Sequence, residues 1–240
     1  MALPFAPDSG ILFSITVLGK TGMSITQKKI ISLSIGVVAT ALILVLGLRD
    51  TRPVLVCFGD SLTTCGGKGG HYTDWLAAHL PHVRVVNAGV GGDTLDQGRH
   101  RFQKDVLRHR PAVVLIAMGA NDFWKATRTI SALQGYLEGM VTAAQAQKAK
   151  VIVVSCFGDR QFWEEVCVEF AFSRFEFAAK IAEMEQAVCR KYGCLYIPNM
   201  QLDIKPNRLP PYWDATDHPN KAGNGQVALR LLPAIFASLP

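Results

Sequence analysis

Val54-Leu55-Val56-Cys57-Phe58-Gly59-Asp60-Ser61-Leu62 is a run of five apolar residues, a glycine, and then a polar turn. A short apolar run without alternation is the pattern of a strand buried on both faces. The same pattern returns at residues 83–86, 113–117, 151–155 and 195–197. Between these runs, residues 72–80, 95–109, 130–148, 174–192 and 221–237 carry helical periodicity. Continuous strands alternating with helices predict a parallel sheet covered on both faces, an α/β sandwich. Ligands in such sheets bind beyond the carboxyl ends of the strands. The polar clusters that follow the strands are therefore where chemistry is expected.

Upstream of this pattern, residues 30–48 (IISLSIGVVATALILVLGL) hold no charge, with Lys28 and Lys29 before them and Arg49 and Asp50 after. A helix of that length rises about 28 Å, close to the hydrocarbon thickness of a bilayer. The residues after Leu48 make a poor signal-cleavage site, so an uncleaved transmembrane anchor is expected, with a secreted, cleaved form as the runner-up. The basic pair places residues 1–29 in the cytoplasm and the domain of residues 53–240 on the far side. Residues 1–22 have no clear role, and Met23 reads as the more natural start.

The rest of the 240-residue chain is long enough for one domain. With 49% hydrophobic and 18% charged residues, a disordered chain is excluded. The net charge of +6 is spread in short, separate groups rather than a stripe, so nucleic acid is not indicated as a partner. None of the six cysteines is spaced as a zinc or redox C-x-x-C pair, and no metal or other cofactor is indicated. Cys57 reads as a small core residue; Cys189–Cys194 and Cys156–Cys167 are plausible disulfides outside the cytoplasm. The glycines near Cys65 lack the phosphate-loop spacing, and those near Gly89 miss the dinucleotide pattern. Lys68 and its glycine neighbours read as a flexible rim.

Three clusters follow three predicted strands: Gly59-Asp60-Ser61-Leu62, Asn87-Ala88-Gly89-Val90-Gly91-Gly92-Asp93-Thr94, and Gly119-Ala120-Asn121-Asp122. A fourth, Trp213 to Asn220, precedes the last helix and contains His218. Acyl transfer needs a nucleophile, a base for its proton, and donors aimed at the developing oxyanion. Ser61 and His218 supply the first two. The Ser61 N–H, the Gly92 N–H and the Asn121 amide supply the third. Taken singly, each cluster could be only a turn or a helix cap.

Taken together and in this order, Ser61, Gly92, Asn121 and His218 resemble the SGNH (GDSL) hydrolases, named for the Ser, Gly, Asn and His of four blocks. The sequence is similar to the bacterial lysophospholipase/thioesterase-like members in its Asn-Ala-x-x-x-Gly-Asp-Thr and His-Pro-Asn strings. The matching blocks cover roughly residues 54–124 and 212–225. The resemblance implies a flavodoxin-like, three-layer α/β/α fold with five parallel strands, and metal-independent hydrolysis of carboxylic esters or thioesters. It also implies a carboxylate three residues before the histidine, where this chain has Ala215. Asp214 is the expected third member, with Asp217 or a backbone carbonyl as alternatives. The expected substrate is an acyl ester or lipid at the membrane. Two other functions compete: O-acetyl removal or transfer on a cell-envelope polysaccharide, and a tethered binding protein on a retired hydrolase fold. Phe157, Phe162, Trp163, Phe170, Phe172, Phe175 and Phe177 could line an acyl groove or belong to the core.

Overall fold

From Pro53 onward helices and strands alternate, and five strands join in one parallel sheet of order β2-β1-β3-β4-β5. This computed structural model describes residues 22, 24–47, 50–157, 175–201, 212–214 and 218–240. The chain divides into two compact units, Met1–Thr51 and Arg52–Pro240.

In the second unit the strands are β1 (Val54–Gly59), β2 (Arg84–Gly89), β3 (Val113–Ala117), β4 (Lys150–Val154) and β5 (Leu195–Ile197). The helices, numbered after α1 of the first unit, are α2 (Ser61–Thr64), α3 (Tyr72–His79), α4 (Leu95–Asp105), α5 (Ala120–Lys125), α6 (Ile130–Ala146), α7 (Phe175–Tyr192) and α8 (Lys221–Ser238). Alternate residues of β1 enter different cores. Leu55 and Cys57 pack with Tyr72 and Leu76 of α3 and Leu231 of α8. Val56 and Phe58 pack with Phe102 of α4, Leu137 of α6 and Ile181 of α7. Two helices therefore cover one face and three the other, and both faces of β1 are dry, which its unbroken apolar run required.

The register fixes where the site must lie. Gly59 pairs with Gly89 on one side and with Ala117 on the other, so three strands end level with one another. From β1 the chain steps to β2 on one side by way of α3, then crosses back through α4 to β3 on the other side of β1. The crevice between β1 and β3 is thus the switch point at which doubly wound sheets bind ligands.

Several boundaries differ from the sequence reading. β2 continues to Gly89 rather than stopping at residue 86, because Asn87 and Ala88 still pair with Cys57 and Phe58. α4 ends at Asp105, and Leu107–His109 forms a separate 3-10 turn that leads into Arg110 at φ 49°. α2 and α5 fall in segments read only as turns; each is too short to show a helical period. Cys57 is wholly buried, as expected, and burial pushes its thiol up to about 12. The disulfide expected between Cys189 and Cys194 is absent: both carry free thiols, although the Cys194 N–H donates to the Cys189 carbonyl at 3.0 Å. The two thiols lie in contact with each other, and Cys189 Sγ also donates to the Leu195 carbonyl at 3.7 Å while Cys194 Sγ accepts from the Gln145 amide at 3.8 Å. Cys156 is also free, and Cys167 lies outside the described residues.

In the first unit, α1 (Ile25–Gly47) begins with a reciprocal cap. The Gln27 N–H donates to Ser24 Oγ at 3.2 Å, and the Ser24 N–H donates to Gln27 Oε1 at 3.0 Å. Among the described residues no helix is long and apolar enough to cross a membrane. The span expected over residues 30–48 is therefore not shown by the structure. Its side chains are described only as far as Val38, and within that part Ser32 and Ser34 interrupt the exposed Ile30, Leu33, Ile35, Val37 and Val38.

Candidate active site

Ser61 opens α2 directly beyond the end of β1. Asp60 caps that helix, its Oδ1 accepting the Leu62 N–H at 3.0 Å. As the first residue of a helix, Ser61 has an N–H with no intrahelical acceptor. The turn sits low over the sheet because Gly59 and Gly89 lack side chains. A Cβ at either position would overlap the Thr63 side chain, and one at Gly59 would also strike the Ala117 carbonyl. Thr63 is wholly buried beneath the turn, its hydroxyl 3.2 Å from that of Tyr72.

His218 Nε2 lies 2.9 Å from Ser61 Oγ. The imidazole arrives on a short antiparallel bridge in which Trp213 pairs with Pro219. Within the bridge the Asp214 N–H donates to the His218 carbonyl at 2.9 Å, and the His218 N–H donates to Asp214 Oδ1 at 3.2 Å. The Asp214 carboxylate thus accepts the backbone N–H of His218. Ala215 and Asp217 lie outside the described residues. Asn220 caps α8 by accepting from the Ala222 and Gly223 N–H groups at 2.9 and 3.1 Å. Buried Asn224, one turn further on, donates to the Pro219 carbonyl at 3.1 Å and to the Cys65 carbonyl at 3.0 Å. One amide thus ties the loop of His218 to the helix of Ser61.

On the other side, Gly92 adopts φ +82°, a conformation that glycine reaches without strain. A Cβ on neighbouring Gly91 would stand 3.9 Å from Ser61 Cβ, so this loop borders the nucleophile. Asn121, in the first turn of α5, donates from Nδ2 to the Asp93 carbonyl at 3.1 Å and to Asp60 Oδ2 at 3.3 Å. Asp122 points the other way, its Oδ2 accepting the Leu95 N–H at 2.9 Å at the start of α4. The capping role considered for Asn121-Asp122 thus belongs to Asp122 and to the preceding helix. Four sequence-distant residues, Ser61, Gly92, Asn121 and His218, stand at one edge of the sheet.

Three carboxyl groups lie beneath this edge, and burial raises all of them: Asp60 to about 6, Asp122 to about 6 and Glu185 to about 8. Glu185, on α7, is bonded to the Ser155 hydroxyl and lies against Gly119, where a Cβ would stand 3.2 Å from its Oε1. Its carboxyl ordinarily titrates near 4.5, so between that pH and about 8 the folded protein holds a proton that the unfolded chain has released. Stability then falls as pH rises through this window and levels off above it. Glu185→Gln is expected to match the parent near pH 4.5 and to be more stable at pH 8–9, by on the order of 4 kcal/mol. Thermal melts of both proteins across this range check the claim; a gap that does not change with pH would count against it.

Sequence reading missed Asp60, Asn87 and Asn224 as parts of the site. Asn87 donates from Nδ2 to the Thr63 carbonyl at 2.8 Å and to the Thr73 hydroxyl at 3.0 Å, securing the nucleophile turn from β2. A polar residue on an otherwise apolar helix face was the available signal for Asn224. The glycines near Lys68 are not simply a flexible rim. A Cβ on Gly66 would overlap Asn224 and Gly70, and the Gly70 N–H closes the turn on the Gly67 carbonyl at 2.9 Å. Phe157 is buried in the core and Phe177 packs against it. Phe162, Trp163, Phe170 and Phe172 lie outside the described residues, as does the side chain of Phe175.

A serine hydroxyl against an imidazole, at the carboxyl edge of a parallel α/β/α sheet, is the arrangement of a serine hydrolase. Residues 57–225 match the GDSL-like Lipase/Acylhydrolase family, and the chain belongs to that family. Two curated relatives resemble shorter stretches. The uncharacterized lipoprotein YqeF of Bacillus subtilis is 37% identical over 78 residues, 28% of this chain and 31% of that protein. The acetylxylan esterase of Geobacillus stearothermophilus is 33% identical over 88 residues, 30% of this chain and 40% of that protein. The chain thus spans well under half the length of these two relatives. Among solved structures, the crystal structure of TesA superposes with a TM-score of 0.65 at 22% identity, covering 78% of this chain and 99% of that one. That likeness is one of fold.

Proposed function

We propose that the protein hydrolyses carboxylic acyl esters through an acyl-enzyme on Ser61. The observation that carries this reading is the 2.9 Å approach of Ser61 Oγ to His218 Nε2, beside the Gly92 loop and Asn121. His218 takes the hydroxyl proton as Ser61 Oγ bonds to the acyl carbon. The carbonyl oxygen becomes an oxyanion facing the Ser61 N–H, the Gly92 N–H and the Asn121 amide. When the tetrahedral adduct collapses, the bond to the leaving oxygen breaks and His218 returns the proton to it. Water repeats the sequence and frees the acid. Asn121 gives up its longer contact, the 3.3 Å bond to Asp60, to reach the oxyanion. Asp214 is the carboxylate member of the site, and it holds the His218 loop in place through the backbone.

The likeness to an acetylxylan esterase favours a second reading with the same chemistry, removal of acetyl groups from a polysaccharide. The full chain, assayed against acyl esters of increasing length and against acetylated sugars, separates the two. Labelling by a fluorophosphonate that Ser61→Ala prevents is the expected companion result. A folded protein that neither turns over esters nor takes the label would be a binding protein on a retired fold, and the proposal would fail.

The uncharged stretch of residues 30–48 supports a further proposal, that the N-terminal segment anchors the domain on the non-cytoplasmic side of a membrane. The resemblance to a lipoprotein agrees with that side. Recovery of the full chain from washed membranes is expected; release into the soluble fraction by an alkaline wash alone would refute the anchor.

A further inference from the structure

Arg101, two-thirds of the way along α4, sends its guanidinium beneath the carboxyl edge of the sheet. Nη2 donates to the Gly59 carbonyl at 2.8 Å and Nη1 to the Ala88 carbonyl at 2.7 Å. Nε donates to Asp93 Oδ2, and Nη1 also reaches Asp105 Oδ2 at 3.3 Å. Four of its five N–H donors are engaged. The guanidinium carbon lies 4.2 Å from the centroid of the Phe58 ring, and the side chain is 15% exposed. Removing a guanidinium from water is costly unless its donors are satisfied, and here they are met by groups from separate parts of the chain.

Each of these groups stands next to the proposed machinery. Gly59 ends β1, two residues before Ser61. Ala88 lies near the end of β2 and leads into the Gly91-Gly92 loop. Asp93 follows Gly92, and its own carbonyl accepts the Asn121 amide at 3.1 Å. Arg101 thus joins Gly59, Ala88 and Asp93 through one side chain. Resting on the reading of Ser61 as an ester-cleaving nucleophile, the geometry points to Arg101 as a positioning residue for the oxyanion hole. It fixes the distance from the Ser61 turn to the loop that carries Gly92 and seats Asn121. It touches no reacting atom. Lysine cannot replace it, because a single ammonium does not present the planar fork that meets two carbonyls and a carboxylate at once.

The test compares Arg101→Lys and Asp93→Asn with the parent, each also combined with Asn121→Ala, in the full chain. Both single variants are expected to lose about 10- to 100-fold in kcat with KM within about twofold, since a small misplacement of the donors falls on the transition state. In the Asn121→Ala background their penalties are expected to shrink, because Arg101 then positions one donor fewer. A stabilising ion pair alone would lower the melting temperature and leave kcat per folded molecule unchanged. Asp93→Asn removes the charge that draws the Gly92-Asp93 loop onto Arg101, so it gives a second readout in the same direction if Arg101→Lys does not fold. Wild-type kcat in a folded single variant, a loss confined to KM, or penalties that simply multiply with that of Asn121→Ala would overturn the inference. A parent protein without turnover or fluorophosphonate labelling would instead overturn the esterase reading on which it rests.

Discussion

Ser61→Ala is expected to lower kcat by about 10⁴- to 10⁶-fold and to leave the melting temperature almost unchanged. The hydroxyl stands at the edge of the fold. Its described side-chain partner is His218, and the turn is secured by Asp60, Thr63 and Asn87, none of which needs Ser61 Oγ. His218→Ala is expected to fall as far, and the double variant hardly further, because a nucleophile and its base act as one unit. Steady-state rates on a chromogenic acyl ester, with circular dichroism and thermal melts beside them, give the comparison. A Ser61→Ala protein retaining more than about one-hundredth of the parent kcat would place the nucleophile elsewhere.

The fold was legible because its strands are buried on both faces. A parallel sheet between two helical layers leaves no polar side to its central strands, so β1 and β3 announce themselves as unbroken apolar runs. The end of β2 was harder to see. Asn87 is polar because it secures the nucleophile turn, and that functional demand hides the last half of a strand. α2 and α5 were invisible for a different reason, since a helix of one or two turns has no period to read.

Ser61, Gly92, Asn121 and His218 could be named because reacting groups must be particular residue types at strand ends. The supporting groups could not. Arg101 is one basic residue among several in Arg99-His100-Arg101, and only the folded structure separates it from Arg99, which pairs with Asp96 at the surface. Asn224 likewise gains its meaning from two carbonyls, of Cys65 and Pro219, that no local pattern brings together. Asp214 was named from spacing as the partner of the imidazole; that its Oδ1 also accepts the His218 N–H at 3.2 Å is a contact that no spacing announces.

Asn121→Ala carries the second large effect. Loss of one preorganised donor to an oxyanion typically costs about 2.7–4 kcal/mol, so kcat is expected to fall about 10²- to 10³-fold while KM changes little. The asymmetry arises because charge gathers on the carbonyl oxygen only as the tetrahedral adduct forms. The same substitution also removes the donors that meet Asp93 and Asp60. Two hydrogen bonds lost from a partly buried site should cost about 1–3 kcal/mol of stability, well short of unfolding the domain. Asp60, already raised to about 6 by burial, then loses a bond that favours its charged form, and its carboxyl is expected to titrate higher. The variant should therefore show both a rate loss on the transition state and an upward shift in any acid limb governed by Asp60. A variant whose KM rises while kcat holds would mean that Asn121 grips the ground-state ester instead, and the oxyanion hole would then consist of backbone N–H groups alone.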